Sequence, residues 1–249
     1  MSPTSAHIAF IGGGNMASAI VGGLIRQGMD KDLIDIVDPV PEVQAKLKAQ
    51  FGVQVHATAS SVLSRANLVV WAVKPQHFKE AALQVRFHTR NALHLSVAAG
   101  IRSDHIAKWL GNERVIRSMP NTPALIGKGI TGLYARPAVS PADRLLAQQV
   151  IQTTGDFIWL TAEDQLDAVT ALSGSGPAYV FYFLEARTST GAIMGLPREQ
   201  AYELAVATFI GAAELARSGQ VFARDHLWSA QARQQEAIYL RVAAESARG

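Results

Sequence analysis

Short apolar runs alternate with segments of helical periodicity through the first half of the chain. Each run has the length of a β-strand, and the stretches between the runs are long enough for a crossover helix. Strands that alternate with helices form a parallel sheet, and a strand that is apolar throughout is covered on both faces. The pattern therefore predicts an α/β domain with strands at residues 7–11, 33–37, 68–73, 93–97 and 115–119.

The pattern changes after Thr161. Two further strand-like runs, at 129–134 and 156–160, enclose a helix that begins near Ser140 and extend the sheet. Beyond them the strand signals stop, and Pro197 opens a helix with small and apolar residues along one face. We expect an α/β domain at residues 1–160 and a smaller all-helical domain at 161–249 that completes its core against a second copy of the chain. The residues of the small and apolar face are Ala201, Leu204, Ala205, Thr208, Ala212 and Leu215.

Composition excludes several classes of protein. Of the 249 residues, 49% are hydrophobic and 17% are charged, which is typical of a globular chain. The net charge of +3 arises from basic and acidic residues that are mixed along the chain, so no basic tract is available for nucleic acid. The absence of cysteine excludes disulfides, thiolate metal sites and a cysteine nucleophile, and it suits a reducing compartment. The histidines show no metal-ligand spacing, so no metal site is expected.

No segment predicts export or membrane insertion. The N-terminus lacks the basic flank and the long apolar stretch of a signal peptide. The longest uncharged stretch lies between Asp167 and Glu185, and it is shorter than the roughly 20 apolar residues of a membrane span. We therefore expect a cytoplasmic protein that binds neither a membrane nor nucleic acid.

A glycine-rich turn follows the first predicted strand and precedes a helix. Gly12, Gly14 and Ala17 fit the G-x-G-x-x-G/A fingerprint of dinucleotide-binding folds. Gly12 permits the tight turn, Gly14 lets the backbone approach a pyrophosphate, and the small Ala17 lets the helix lie close to the sheet. The same glycines could form a purely structural turn, but their position between a strand and a helix favours dinucleotide binding.

An acidic residue, Asp38, stands at the end of the second predicted strand, where a carboxylate can bond the adenosine ribose of a dinucleotide. An acid before a proline is also an ordinary turn residue, and both interpretations stay open. In the functional one Asp38 favours NAD, because a carboxylate repels a 2′-phosphate and no arginine follows it.

Three further loops follow predicted strands at the carboxyl edge of the sheet, where open parallel sheets bind ligands. Each loop also has an ordinary structural explanation, because prolines and glycines commonly end strands. Their residues are Lys74 and Pro75, then Ala98, Ala99 and Gly100, then Pro120, Asn121, Thr122 and Pro123.

These motifs resemble those of the pyrroline-5-carboxylate reductases, a family that reduces a cyclic imino acid to L-proline with NADPH or NADH, the last step of proline biosynthesis. The resemblance implies a Rossmann domain followed by a helical dimerisation domain, in a homodimer or a higher oligomer of dimers. It also implies an active site in the cleft between the domains, partly lent by the neighbouring subunit. The matching segments, in the order of the family, are 11–16, 72–76, 98–100, 117–124, 167–181, 194–199 and 211–213.

The resemblance also implies a role for each motif. The glycine turn would hold the pyrophosphate, the loops at 72–75 and 98–100 would line the rest of the dinucleotide, and 119–121 would lie beside the nicotinamide. The motif at 173–177 would meet the substrate carboxylate, although a plain helix cap explains the same residues. The cofactor-binding residues are then Gly12, Gly13, Gly14, Asn15, Met16, Asp38, Ala72, Val73, Lys74, Pro75, Ala98, Ala99, Gly100, Met119, Pro120 and Asn121, and the substrate-binding residues are Ser173, Gly174, Ser175 and Gly176.

The chain departs from the family pattern at residues 227–234. The family has approximately Val-Thr-Ser-Pro-Gly-Gly-Thr-Thr there, and only Ser229 matches it. Two functions therefore stay open: the reductase, and a nucleotide-binding homologue with weak or no turnover because the substrate motif is altered. A dehydrogenase of the 3-hydroxyacid type relies on a lysine in its helical domain, and no lysine follows Thr161 in this chain.

Overall fold

The computed structural model describes residues 5–219, and these residues separate into two compact units divided between Ala178 and Tyr179. The boundary expected from the sequence, at residue 160, stays a prediction. The strands are β1 (Ile8–Ile11), β2 (Ile34–Val37), β3 (Gln54–His56), β4 (Leu68–Trp71), β5 (Leu93–Ser96), β6 (Val115–Met119), β7 (Gly129–Ala135) and β8 (Gly155–Trp159). The helices are α1 (Asn15–Arg26), α2 (Pro41–Phe51), α3 (Pro75–Val85), α4 (Ser103–Leu110), α5 (Pro141–Ile151), α6 (Gln165–Val169), α7 (Gly176–Ile193) and α8 (Arg198–Arg217).

The strands of the first unit form one sheet in the order β3-β2-β1-β4-β5-β6-β7-β8. Apolar clusters cover both of its faces, one around Phe10 and Ile20 and the other around Trp71 and Phe78. Every residue of β4 is fully buried, as an uninterrupted apolar run predicts for a central strand. The structure confirms the predicted fold class, an α/β Rossmann-type domain followed by helices.

The sheet differs from the sequence expectation at β7, which pairs with β6 in the antiparallel direction. A parallel crossover needs a dozen or more residues, and only residues 120–128, which include a short 3-10 helix, separate the two strands. The chain therefore turns back beside β6. The next strand, β8, then pairs with β7 in parallel after α5, so both strands do extend the sheet.

The edge strand β3, at Gln54–His56, was not predicted from the sequence. This strand has only three residues, and Val55 is its one fully buried side chain, so it leaves no periodic signal. The strand predicted at 68–73 ends at Trp71, although the Ala72 amide still donates to the Ile11 carbonyl at 2.8 Å. This early end of the strand positions Ala72 and Val73 for the site described below.

The second unit contains most of α7 and all of α8 within the described residues. The helix predicted after Pro197 is α8, but Ala201 and Ala205 are its only buried residues. Large apolar side chains such as Phe181, Tyr182 and Leu204 are more than half exposed. No described helix is both long enough and apolar enough to cross a membrane.

Candidate functional site

The turn between β1 and α1 has no room for side chains at its first two glycines. Gly12 has a φ of +94°, and a Cβ atom there would lie 2.6 Å from the carbonyl oxygen of Ala72. A Cβ at Gly13 would lie 2.6 Å from Leu47 Cδ1. The backbone of Gly12 donates to the carbonyl of Val37 at 2.8 Å, which fixes the turn between β2 and β4. Glycine is therefore required at position 12 by backbone conformation and packing, whereas a side chain at position 13 would have to displace Leu47 and Val43.

Gly14 differs from Gly12 and Gly13 because a side chain at this position would contact no protein atom. A Cβ atom at Gly14 would meet nothing within 4 Å, and the residue is exposed at the N-terminus of α1. Asn15 and Met16 form the start of the same helix, and Ala17 is fully buried against the sheet. Amide groups at a helix N-terminus attract anions, so the turn presents an open, electropositive face at Gly14.

The carboxylate of Asp38 braces this turn. Its Oδ2 accepts a hydrogen bond from the Gly13 amide at 2.7 Å, and its Oδ1 accepts one from the Val40 amide at 2.9 Å. Gln44 Nε2 donates to the Asp38 carbonyl at 2.8 Å, which ties the end of β2 to α2. Asp38 is therefore more than an ordinary turn residue, because it fixes the glycine turn itself.

A cavity of about 650 Å³ opens in front of the turn. This volume lies in the range of small-molecule and cofactor sites. Seven of the expected cofactor residues line it: Gly12, Gly13, Gly14, Asp38, Ala72, Val73 and Lys74. Its wall also includes residues that the sequence analysis did not single out, among them Val40, Thr58, His77, Glu80 and Gln84. The signal that could have found the α3 residues is the start of that helix at Pro75, directly after Lys74.

The remaining expected cofactor residues lie outside the cavity wall. Pro75 is the first residue of α3, and Ala98, Ala99 and Gly100 follow β5 directly. Met119 ends β6, and the buried Pro120 and half-buried Asn121 follow it. Except for Asn15 and Met16 at the start of α1, all of these residues lie after strands β4, β5 and β6, which run parallel to one another, and therefore at the same edge of the sheet.

The structure brings the loop after β6 together with the motif at 173–176. Asn121 Nδ2 donates to Ser173 Oγ at 3.2 Å, and Asn121 Oδ1 accepts from the Ile130 amide at 3.1 Å. A Cβ at Gly174 would lie 2.6 Å from Met119 Cε. Two motifs that are more than 50 residues apart in the sequence thus form one contact group, Met119, Asn121, Ser173 and Gly174.

Ser173 and Gly174 lie in a π-helical turn, Thr170–Gly174, between α6 and α7. The Ser175 amide closes this turn on the carbonyl of Thr170 at 2.9 Å. π-helical turns occur frequently at functional sites, and no sequence signal predicted this one. Ser175 is exposed, and Gly176 and Pro177 begin α7, so the expected helix start is confirmed.

A buried ion pair connects β6 with the segment that precedes α6 and with the start of α4. Arg117 Nη1 donates to Glu163 Oε1 at 2.7 Å, and the amide and hydroxyl of Ser103 donate to the same carboxylate at 2.6 and 2.7 Å. Burial opposes ionisation of Glu163, but the hydrogen bonds from Ser103 and Arg117 outweigh it and hold the pKa of Glu163 below its usual value. The Glu163 carboxylate thereby caps the start of α4.

A second buried titratable group, His94, lies in β5, next to β4 in the sheet. Trp71 Nε1 donates to His94 Nδ1 at 3.1 Å, and the Trp71 ring stacks on Phe78 at a centroid distance of 4.8 Å. Burial lowers the pKa of His94 from 6.5 to about 4, against a backbone hydrogen bond at Thr89 that raises it. His94 is therefore neutral at pH 7, and it supports the strand end as a hydrogen-bond acceptor.

We expect the folded state to lose stability as the pH falls below 6.5, because the unfolded chain takes up a proton at His94 that the folded chain resists. With a folded pKa of about 4, the loss amounts to about 2 kcal/mol between pH 7 and pH 5. Urea unfolding at both pH values measures it. His94→Gln retains an acceptor for Trp71 and cannot titrate, so an equal pH dependence in parent and variant would contradict this assignment.

Comparison with known proteins identifies the family. A pyrroline-5-carboxylate reductase from Pseudomonas aeruginosa is 43% identical over 217 residues, which cover 86% of this chain and 80% of that protein. The chain belongs to the pyrroline-5-carboxylate reductase family. A model of the pyrroline-5-carboxylate reductase dimerisation domain matches residues 163–235, and a model described as NADP oxidoreductase coenzyme F420-dependent matches residues 7–100.

Solved structures of the family superpose on this chain. A pyrroline-5-carboxylate reductase from Coxiella burnetii gives a TM-score of 0.84 at 34% identity and covers 98% of this chain and 93% of its own. A Plasmodium falciparum pyrroline carboxylate reductase with NADP bound gives a TM-score of 0.81 at 22% identity, covering 98% of this chain and 94% of its own. The second similarity shows the shared fold.

The departure from the family pattern at 227–234 lies outside the described residues. The match to the dimerisation model nevertheless continues to residue 235 and so spans this segment. None of these comparisons favours the alternative of a nucleotide-binding homologue without turnover.

Proposed function

We propose that this chain reduces 1-pyrroline-5-carboxylate to L-proline with NADPH or NADH as the hydride donor. The observation that carries the proposal is the placement of two sites at one sheet edge. The braced glycine turn opens on a cavity of about 650 Å³, and the loop after β6 contacts the motif at 173–176. In a member of this family, the first site suits a dinucleotide and the second suits a small substrate.

The residues around the glycine turn fit a dinucleotide. The space in front of Gly14 is free of protein atoms, so a pyrophosphate can approach the amide groups at the start of α1. The Asp38 carboxylate stands at the end of β2, where the adenosine ribose would lie. When bound, the reduced nicotinamide supplies the hydride that the imine carbon of the substrate accepts.

The contact group of Met119, Asn121, Ser173 and Gly174 would align the substrate with the nicotinamide. The Asn121 side chain is fixed in orientation, because its Nδ2 donates to Ser173 and its Oδ1 accepts from the backbone amide of Ile130. Ser173, Gly174, Ser175 and Gly176 would bind the substrate carboxylate beside the start of α7. Holding two reactants in the correct orientation supplies much of the rate enhancement of such a reaction.

The chemistry requires no side-chain base. The ring nitrogen of the protonated imine carries its proton throughout, and hydride addition to the neighbouring carbon neutralises the cation. His94 is buried and neutral, so it is unsuited to exchanging protons with a substrate. The chain therefore acts by binding and alignment, consistent with an oxidoreductase whose reactive group belongs to its cofactor.

The Gly174→Ala variant tests whether the contact group aligns the substrate. The new methyl group would lie 2.6 Å from Met119 Cε and displace the tip of this flexible side chain. We expect kcat for pyrroline-5-carboxylate to fall roughly tenfold, about 1.4 kcal/mol of transition-state stabilisation. Dinucleotide affinity should fall less than kcat, because Gly174 lies outside the wall of the cavity at Gly14. An unchanged kcat, or an equal loss of dinucleotide affinity, would contradict the assigned role.

The dimerisation-domain match supports homo-oligomerisation. We further propose a homodimer or a higher oligomer of dimers. Exposed aromatic and aliphatic side chains on α7 and α8 support this proposal, because water-exposed Phe181, Tyr182 and Leu204 would be buried by a second copy. A cytoplasmic location is proposed from the cysteine-free composition, which suits a reducing compartment.

A further inference from the structure

The adenosine end of the cavity is defined by the residues that follow β2 and β3, and we refer to these residues as the rim. None of them is positively charged, and Asp38 gives the rim a negative charge. The exposed Val40 and the neutral Thr58 are its other prominent members. The full set is Asp38, Pro39, Val40, Ala57, Thr58 and Ala59.

Two basic side chains close to the rim in the chain, Arg65 and His56, contact a different carboxylate, Asp35. Arg65 donates to Asp35 through Nε at 3.0 Å and through Nη2 at 2.8 and 2.9 Å. His56 Nε2 lies 3.1 Å from Asp35 Oδ1. Asp35 is buried, and removing its partners would leave an uncompensated carboxylate in the sheet. Both side chains are therefore engaged by Asp35 and not by a residue of the rim.

The Asp38 carboxylate is held in place but still has acceptor capacity. Each of its oxygens accepts one amide hydrogen bond, from Gly13 and from Val40, while a carboxylate oxygen can accept two. Asp38 therefore cannot rotate away without breaking the brace on the glycine turn. Its remaining lone pairs suit ribose hydroxyl groups, which donate hydrogen bonds, and repel a 2′-phosphate, which is an anion and cannot donate to them.

Lys74 is the only lysine or arginine in the cavity wall among the described residues, and it follows β4. Strand β1 lies between β2 and β4, so the ends of those two strands are separated by two strand spacings, about 10 Å. The rim thus has a fixed anion on its own strand and no cation of its own.

We propose that this chain selects NADH over NADPH and that Asp38 is the residue that determines this specificity. The inference rests on the proposed function, because it assigns the adenosine ribose of the same dinucleotide to the rim. Asp38 then has two roles: it braces the glycine turn and it discriminates at the ribose.

Binding measurements without substrate test this proposal. Isothermal titration of the purified chain with NADH and with NADPH should give an affinity roughly tenfold or more in favour of NADH. NADPH binding that equals or exceeds NADH binding would overturn the selectivity alone, with the proposed reductase intact. Failure to bind either nucleotide would overturn the proposed function together with this inference.

Val40→Arg adds the missing cation to the rim. Val40 is 45% exposed, and its backbone amide, which bonds Asp38, is kept in the variant. We expect NADPH affinity to rise roughly tenfold with NADH affinity within about twofold, because a guanidinium pairs with phosphate. Val40→Gln is the matched control that adds length without charge, and it should not reproduce the gain in NADPH affinity. Equal gains from arginine and glutamine would contradict the electrostatic basis of the selectivity.

Asp38→Asn removes the charge itself. Asparagine has a single acceptor oxygen, so it can keep only one of the two amide hydrogen bonds that Asp38 accepts. We expect NADH to bind more weakly and the ratio of NADH to NADPH affinity to fall. This variant also weakens the hydrogen bonding of Asp38 to the glycine turn. If Asp38→Asn does not fold, the comparison of Val40→Arg with Val40→Gln is decisive. A full NADH preference in folded Asp38→Asn would show that another group discriminates.

Discussion

Gly14→Val should abolish dinucleotide binding while the first unit stays folded. A side chain at Gly14 would meet no protein atom within 4 Å, so it would occupy only the space in front of the turn. A bound pyrophosphate needs that space, and we expect the affinity for NADH and NADPH to fall roughly hundredfold or more, about 2.7 kcal/mol. Valine is also a poor helix N-cap, which costs about 1 kcal/mol of stability. Fluorescence titration and thermal unfolding measure the two effects.

Gly12→Ala provides the contrasting case. Its methyl group would lie 2.6 Å from the Ala72 carbonyl oxygen, in a backbone with a φ of +94° that alanine disfavours. This variant should lose stability as well as binding. If Gly14→Val unfolds as readily as Gly12→Ala, or binds dinucleotide as tightly as the parent, the distinction between a packing glycine and a ligand-facing glycine is wrong.

Glu163→Gln should cost about 3 kcal/mol of folding stability, because it leaves a buried guanidinium without its charged partner. The side chains of Arg117 and Glu163 are only 9% and 10% exposed. Ser103 would also lose part of the acceptor at the start of α4. Glu113→Gln is the matched control: Glu113 pairs with Arg136 but is 63% exposed. That substitution should cost less than about 1 kcal/mol. Urea unfolding at pH 7 gives both values.

The lowered pKa of Glu163 predicts that the free energy of unfolding depends on pH. The pKa of Glu163 in the folded chain is below its usual value of 4.5, so its stabilising contribution is present above that pH. The contribution is lost as the pH falls through the lower folded value, since the folded chain must then take up the proton it had resisted. A parent and a Glu163→Gln variant that lose stability in parallel below pH 4.5 would contradict this assignment.

The sequence predicted those parts of the fold that have a local signal. The fully buried β4 shows as an unbroken apolar run, and Ser140 and Pro141 show as a helix start that the structure confirms with a capping box at Asp143. The direction of β7 has no such signal, since it depends on the short connection after β6. The three residues of β3 are too few for a periodic pattern.

The residues of the candidate site likewise fall into those with a local sequence signal and those without one. The glycine turn is a contiguous motif, so its position between β1 and α1 could be inferred from spacing alone. The brace from Asp38 to Gly13 spans 25 positions, and the contact between Asn121 and Ser173 spans 52, so only the folded chain shows them. The capping of α4 by Glu163 is of the same kind, because a carboxylate in sequence gives no indication of which distant helix it reaches.

The most direct test of the proposed function is transfer of an isotopic label. The purified chain is incubated with 1-pyrroline-5-carboxylate and with NADH or NADPH deuterated at the transferring position of C4, and the product is examined by mass spectrometry. If the chain is a reductase, proline accumulates with one deuterium per molecule, on the ring carbon that had been the imine carbon. Dinucleotide binding without any labelled proline would contradict the proposal and identify a binding homologue without turnover.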